Sequence, residues 1–122
     1  NAFLEMKEEY NRHLDDIRLA IRDSKKVATA VGYGPRFLHS TGQLHKGGPN
    51  SGLFLQITAE DKEDISIPGE KYSFGKLKDA QARGDFEVLV ERNRRIIRLH
   101  LGPEVGKDLA QISKIIQKVM AH

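Results

Sequence analysis

Two short apolar runs constrain the fold of this chain more than any other feature: residues 27–31, Val-Ala-Thr-Ala-Val, and residues 53–58, Leu-Phe-Leu-Gln-Ile-Thr. Neither contains a charge, and each is too short to read as a buried helix. Each therefore predicts a strand covered on both faces, as in a parallel sheet. Between residues 3 and 23, Met6, Tyr10, Leu14, Ile17 and Ile21 recur at steps of three and four, with charged residues on the other faces. That spacing predicts an amphipathic helix.

Residues 59–72 are charged and carry the turn pair Pro68-Gly69, with Ile65 and Ile67 suited to a short edge strand. Ser73 suits the cap of a helix reaching Arg83 and stopped by Gly84, and Asp85 the cap of a second helix carrying Phe86, Leu89 and Val90. Residues 95–101 read as a third strand. A last helix follows Gly102-Pro103, its stripe formed by Val105, Leu109, Ile112, Ile116 and Val119. The order helix, strand, strand, two short helices, strand, helix predicts one small layered α/β domain with a mostly parallel sheet of about three or four strands. A length of 122 residues with 39% hydrophobic content fits one core.

The formal charge of +3, from 20 basic and 17 acidic residues spread along the chain, does not call for a nucleic-acid partner. Arg92, Arg94, Arg95 and Arg98 cluster around the third strand, but no aromatic residue interleaves them for base stacking, so they read as a solvated rim. The chain has no cysteine, hence no disulfide framework and no thiolate metal site. No apolar run approaches the roughly 20 residues that cross a bilayer. These features predict a cytoplasmic protein with no membrane partner. Asn1 and Ala2 read as a cloning remnant, and residues 3–122 as a domain cut from a longer polypeptide.

Function is concentrated in residues 32–50, GYGPRFLHSTGQLHKGGPN. The segment leaves the carboxyl end of the first expected strand, where ligands gather in open α/β sheets. Its glycines permit close backbone approach to an anion, although it matches neither phosphate-loop pattern. Arg36, Ser40, Thr41 and Lys46 add the small donors and cations that a phosphate group needs. His39 is the candidate for proton transfer, because imidazole titrates near neutral pH. His39 and His45 lack a nearby carboxylate or thiolate to complete a metal site, so no metal is expected.

The run GYGPRFLHSTGQLHKGGPNSGLFLQIT resembles the final domain of bifunctional transaldolase/glucose-6-phosphate isomerase proteins. IPGEKYSFGKLKDAQARGD, RRIIRLHLG and the first helix resemble the same region, so the likeness covers nearly the whole chain. It implies a sugar-isomerase (SIS) type α/β domain that helps interconvert glucose 6-phosphate and fructose 6-phosphate through ring opening and a cis-enediol, without metal or organic cofactor. It further implies that His39, Thr41 and Gln43 correspond to the ring-opening stretch of ordinary phosphoglucose isomerases. Leu38 stands where that stretch has glutamate, and the spacing to Gln43 is one residue shorter.

Arg36, Ser40, Thr41, Gln43, His45, Lys46 and Asn50 are then the expected substrate-binding residues. The proton-abstracting glutamate of the family belongs to an earlier part of the polypeptide. Glu60, Glu63 and Asp64 read instead as a solvated turn. The expected partners are a sugar phosphate and the upstream isomerase and transaldolase domains. The isolated domain is expected to be incomplete as a catalyst. A non-catalytic sugar-phosphate-binding or assembly module, able to form a homodimer through an exposed amphipathic face, is the alternative.

Overall fold

The computed structural model describes residues 1–34, 47, 51–59, 68–69 and 74–121. They form a small α/β fold with three parallel strands and three helices, in the order β1 (Ala2–Phe3), α1 (Glu8–Lys25), β2 (Leu53–Ala59), α2 (Phe74–Glu91), β3 (Arg95–Leu101) and α3 (Val105–Met120). The chain divides into two compact units: Asn1–Leu4 with Gly32–Pro103, and Glu5–Val31 with Glu104–His122.

The first unit holds the sheet, ordered β1-β2-β3. β2 and β3 pair in parallel from Leu53↔Arg95 to Ala59↔Leu101, and β1 pairs with β2 through Ala2↔Ile57 and Phe3↔Thr58. Two further bonds, from the Asn1 ammonium to Leu55 O and from Ile57 N to Asn1 O, both 2.8 Å, extend the ladder so that Asn1 lies level with Gln56. On the other side of β1, Ala2 bridges Tyr33 in parallel.

The second strand thus adjoins residues 1–3, and the run 27–31 forms no strand: Val27 is 49% and Val31 37% exposed. Its composition suits a strand, but the ladder position beside β2 is filled by Ala2 and Phe3, each 1% exposed. For the same reason the helix expected over residues 3–23 starts only at Glu8. Burying Phe3 in the sheet removes the first turn of the helical pattern and leaves Met6 exposed.

Helix α2 replaces the two short helices. It runs through Gly84, where the roughly 1 kcal/mol penalty of a helical glycine is outweighed by the buried stripe Ala82, Asp85 and Leu89. Asp85 is an inner-face residue rather than a cap. The helix ends in a Schellman turn: Asn93 takes φ 58°, Asn93 N donates to Val90 O at 3.0 Å and Arg94 N to Leu89 O at 2.8 Å. Pro68-Gly69 is a turn, with Gly69 at φ 81°. The edge strand expected around Ile65 and Ile67 and the Ser73 cap lie outside the described residues.

The second unit is a pair of helices. Gly106, near the start of α3, lies against the carboxylate of Glu9, near the start of α1. At the other ends Ser24 Oγ donates to Met120 O at 2.9 Å. The helices are therefore parallel. Leu14 and Ile17 of α1 and Val105, Leu109 and Ser113 of α3 are buried. The expected stripe on α3 is half realised: Ile112 and Ile116 are half-buried and Val119 is exposed.

Candidate functional site

In the sheet unit all strands point the same way, so their carboxyl ends share one edge. Gly34, Phe3, Thr58 and His100 form a row across it. Phe3 is the register partner of Thr58, Thr58 of His100, and Gly34 N donates to Ala2 O at 2.9 Å. Gly34 is buried and sits against the ring of Phe3, so closely that a Cβ there would come within 2.5 Å of the ring. Only glycine lets the chain pass at this point. Gly34, the last described residue before the segment expected to hold the function, lies at the carboxyl edge. It follows a bridge at Tyr33 rather than a strand at 27–31.

Arg36, His39, Ser40, Thr41, Gln43, His45, Lys46 and Asn50 lie outside the described residues, as do Glu60, Glu63 and Asp64. Apart from Gly47, the described chain leaves the carboxyl edge at Gly34 and resumes at Ser51, ahead of the amino end of β2.

The carboxyl edge carries a pair which sequence reading passed over. Thr58 Oγ1 and His100 Nδ1 share a hydrogen bond of 2.8 Å; Thr58 is 1% exposed, whereas His100 is exposed. The buried hydroxyl fixes one nitrogen of the ring and leaves Nε2 for solvent or a ligand. Read singly, His100 has no partner within reach along the chain. The signal lies in strand pairing, since Thr58 and His100 are the next-to-last residues of β2 and β3 and become partners once the two strands are set in parallel.

Directly inward on the same face is a second polar pair, Gln56 and Arg98. Gln56 is 0% exposed and its Nε2 donates to Ala82 O of α2 at 2.9 Å, which sets this face of the sheet beneath α2. Asp85 of α2 is buried too. Burial pushes the Asn1 ammonium down from the ordinary 8.0 to about 6, and the negative charge of Asp85 opposes part of that shift. Of the arginine cluster, Arg92 and Arg95 are exposed and fit a solvated rim, whereas Arg94 and Arg98 are half-buried. Lys76, Asp79, Arg83 and Glu87 line an open groove on the outer side of α2, a charged and solvated helix face. Among the described residues no group of three or more His, Cys, Asp or Glu could hold a metal ion, and no helix is long and apolar enough to cross a membrane.

No family model matches the chain, and no curated protein does. A solved structure does: hypothetical protein TT0462 from Thermus thermophilus is 27% identical with a TM-score of 0.59, over 73% of this chain and 23% of that one. The chain therefore spans less than a quarter of the length of that relative. The likeness agrees with the small layered α/β fold.

Proposed function

We propose that the chain is the terminal domain of a sugar-phosphate isomerase, interconverting glucose 6-phosphate and fructose 6-phosphate in the cytoplasm as part of a longer polypeptide with upstream isomerase and transaldolase domains. One observation supports the reading most: Gly34, the last described residue before 35–50, lies at the carboxyl edge of a parallel sheet, the edge that also presents His100 held by Thr58. In this reading His39 protonates the ring oxygen as the C1–O5 bond breaks, while the C1 hydroxyl gives up its proton and becomes the aldehyde. Arg36, Ser40, Thr41 and Lys46 hold the phosphate, and Gln43, His45 and Asn50 the sugar hydroxyls. The base that moves the proton between C2 and C1 comes from outside these 122 residues, and no cofactor takes part.

The test is a steady-state isomerase assay on the longer polypeptide, with and without His39→Ala. General acid catalysis contributes about 10²- to 10⁴-fold, so the variant is expected to lose activity in that range. An undiminished kcat would remove His39 from the chemistry.

A second reading, a non-catalytic binding or assembly module, draws on the side of the sheet away from α2. There Leu53 is 76% and Ile97 66% exposed, on neighbouring strands. Exposed apolar residues of this kind favour association. Fructose 6-phosphate binding by calorimetry, combined with unchanged activity on loop substitution, would support this reading over the catalytic one.

A further inference from the structure

Thr58 and His100 are register partners at the carboxyl edge, and their hydrogen bond fixes what the ring can offer a ligand. A hydroxyl proton enclosed in the protein needs an acceptor. Among the described residues the Thr58 hydroxyl, 1% exposed, is bonded to His100 Nδ1 alone, at 2.8 Å. In the neutral ring Thr58 therefore donates to Nδ1, and the ring proton sits on Nε2. In the protonated ring Nδ1 donates to Thr58 Oγ1, and Nε2 keeps its proton. Both forms present the same group, an Nε2–H donor on a ring held by a buried anchor. His100 is exposed, so that donor is open to an incoming oxygen atom.

Two described cations lie toward it. Arg98 is two residues earlier on β3, half-buried on the same face of the sheet. Helix α2 leaves after β2 and ends before the parallel β3, so it runs back against the strands with its early turns toward the carboxyl end. Ala82 O of α2 accepts from Gln56 Nε2, and the half-buried Lys78 stands one turn earlier on the same side of the helix. That turn advances ~6 Å toward the edge, the same distance as from Gln56 to Thr58 along β2. Asp85, the buried carboxylate of α2, lies on the other side of Ala82, near the Asn1 ammonium. A donor flanked by cations suits an oxyanion.

We propose that His100 is a phosphate-binding residue: its Nε2–H donates to a phosphate oxygen of the substrate, and Thr58 is the positioning residue that holds the ring and its tautomer. The identity of the ligand rests on the sugar-phosphate reading above, whereas the donor itself follows from the strand register. Part of the site is then carried by β3, outside residues 35–50.

The experiment is an NMR titration of the 122-residue chain at constant pH and ionic strength, following the ring nitrogens of His100 and, as a reference on α1, of His13. The probes are inorganic phosphate, fructose 6-phosphate and fructose. Saturable movement of the His100 Nε2 signal with the two phosphates, without fructose and without matching movement at His13, is expected. His100→Asn keeps a nitrogen near the Nδ1 position for Thr58 but has none at Nε2, and is expected to weaken phosphate binding about tenfold in calorimetry while the chain stays folded. Thr58→Val is expected to weaken it about threefold through the freedom the ring regains, and Thr58→Ser to restore it. A His100 signal that ignores both phosphates, follows fructose equally or moves in step with His13 would overturn the proposal, as would unchanged affinity in His100→Asn. In the longer polypeptide His100→Asn should raise KM for fructose 6-phosphate about tenfold at nearly constant kcat. If that polypeptide lacks isomerase activity while His100 still answers to phosphate, the isomerase reading falls and the phosphate site stands. An active enzyme whose KM is unaltered by His100→Asn removes His100 and leaves the isomerase reading in place.

Discussion

The two units bury different kinds of side chain. In the helical pair the buried residues are Leu14, Ile17, Val105, Leu109 and one serine, Ser113, whose Oγ accepts from Gln117 Nε2 at 2.9 Å. Its ion pairs, such as Arg18–Asp15 at 3.4 Å and Arg22–Asp23 at 3.0 Å, lie at the surface and add little stability. The sheet unit buries Gln56, Thr58 and Asp85 among its apolar residues. An apolar stripe tolerates exchange of one aliphatic residue for another; a buried polar group requires a partner and a fixed geometry. The helical pair is therefore support, and the sheet unit is where the chain accepts desolvation costs that a merely structural layer would avoid.

The largest expected effects test whether both units rest on apolar burial at all. Leu89 in α2 and Leu109 in α3 are each 0% exposed, and truncating either to alanine should cost about 2–5 kcal/mol in urea unfolding. Were Leu109→Ala to cost less than about 1 kcal/mol, the description of the helical pair as held by its stripe would fail.

Next in size is an effect of pH confined to the sheet. In the 122-residue chain with a free amine at Asn1, the ammonium has a folded pKa of about 6 against an ordinary 8.0, so between these values the unfolded chain binds more protons than the folded one. Stability is then fully present above pH 8 and is lost as pH falls toward 6, by up to about 2 kcal/mol. Hydrogen exchange of the β2 amides across that window should follow this trend, and acetylating the amine should flatten it. Exchange that is equally flat before acetylation would contradict the burial of Asn1.

The smallest test sets one hydrogen bond against another. Thr58→Val removes the buried partner of His100 and should cost about 1 kcal/mol, with the two imidazole nitrogens changing their NMR shifts as the ring is released. Ser24→Ala removes the exposed bond to Met120 O and should cost only a few tenths of that. Equal losses would erase the distinction between the units.

Much of this fold was legible from the sequence where a pattern is long. α1 and α3 follow the spacing of Tyr10, Leu14 and Ile17 and of Val105, Leu109 and Ile112, and β3 covers the expected residues 95–101. Short elements escape such reading. A two-residue strand at Ala2–Phe3 has no period to detect, and the uncharged run 27–31 resembles a strand more than Asn1, Ala2 and Phe3 do. Gly84 and Asp85 look like a helix stop and a cap, yet Ala82, Asp85 and Leu89 show that long-range burial governs there. On the candidate site, the sequence suggests an exit from a strand at 27–31 where the structure has only a bridge at Tyr33, and the Thr58–His100 pair depends on a register that no local signal encodes.

β3 ends the described sheet, with β2 on one side of it. A seven-residue strand rich in isoleucine and leucine in that position is a template on which another copy could lay its own backbone and begin a growing stack. Arg95 and Arg98 counter this, because in-register stacking of like strands would set their guanidinium groups about 4.8 Å apart, copy after copy. The same charges that frame the sheet thus act as gatekeepers against aggregation, and replacing them with neutral residues would be expected to cost solubility before it costs fold.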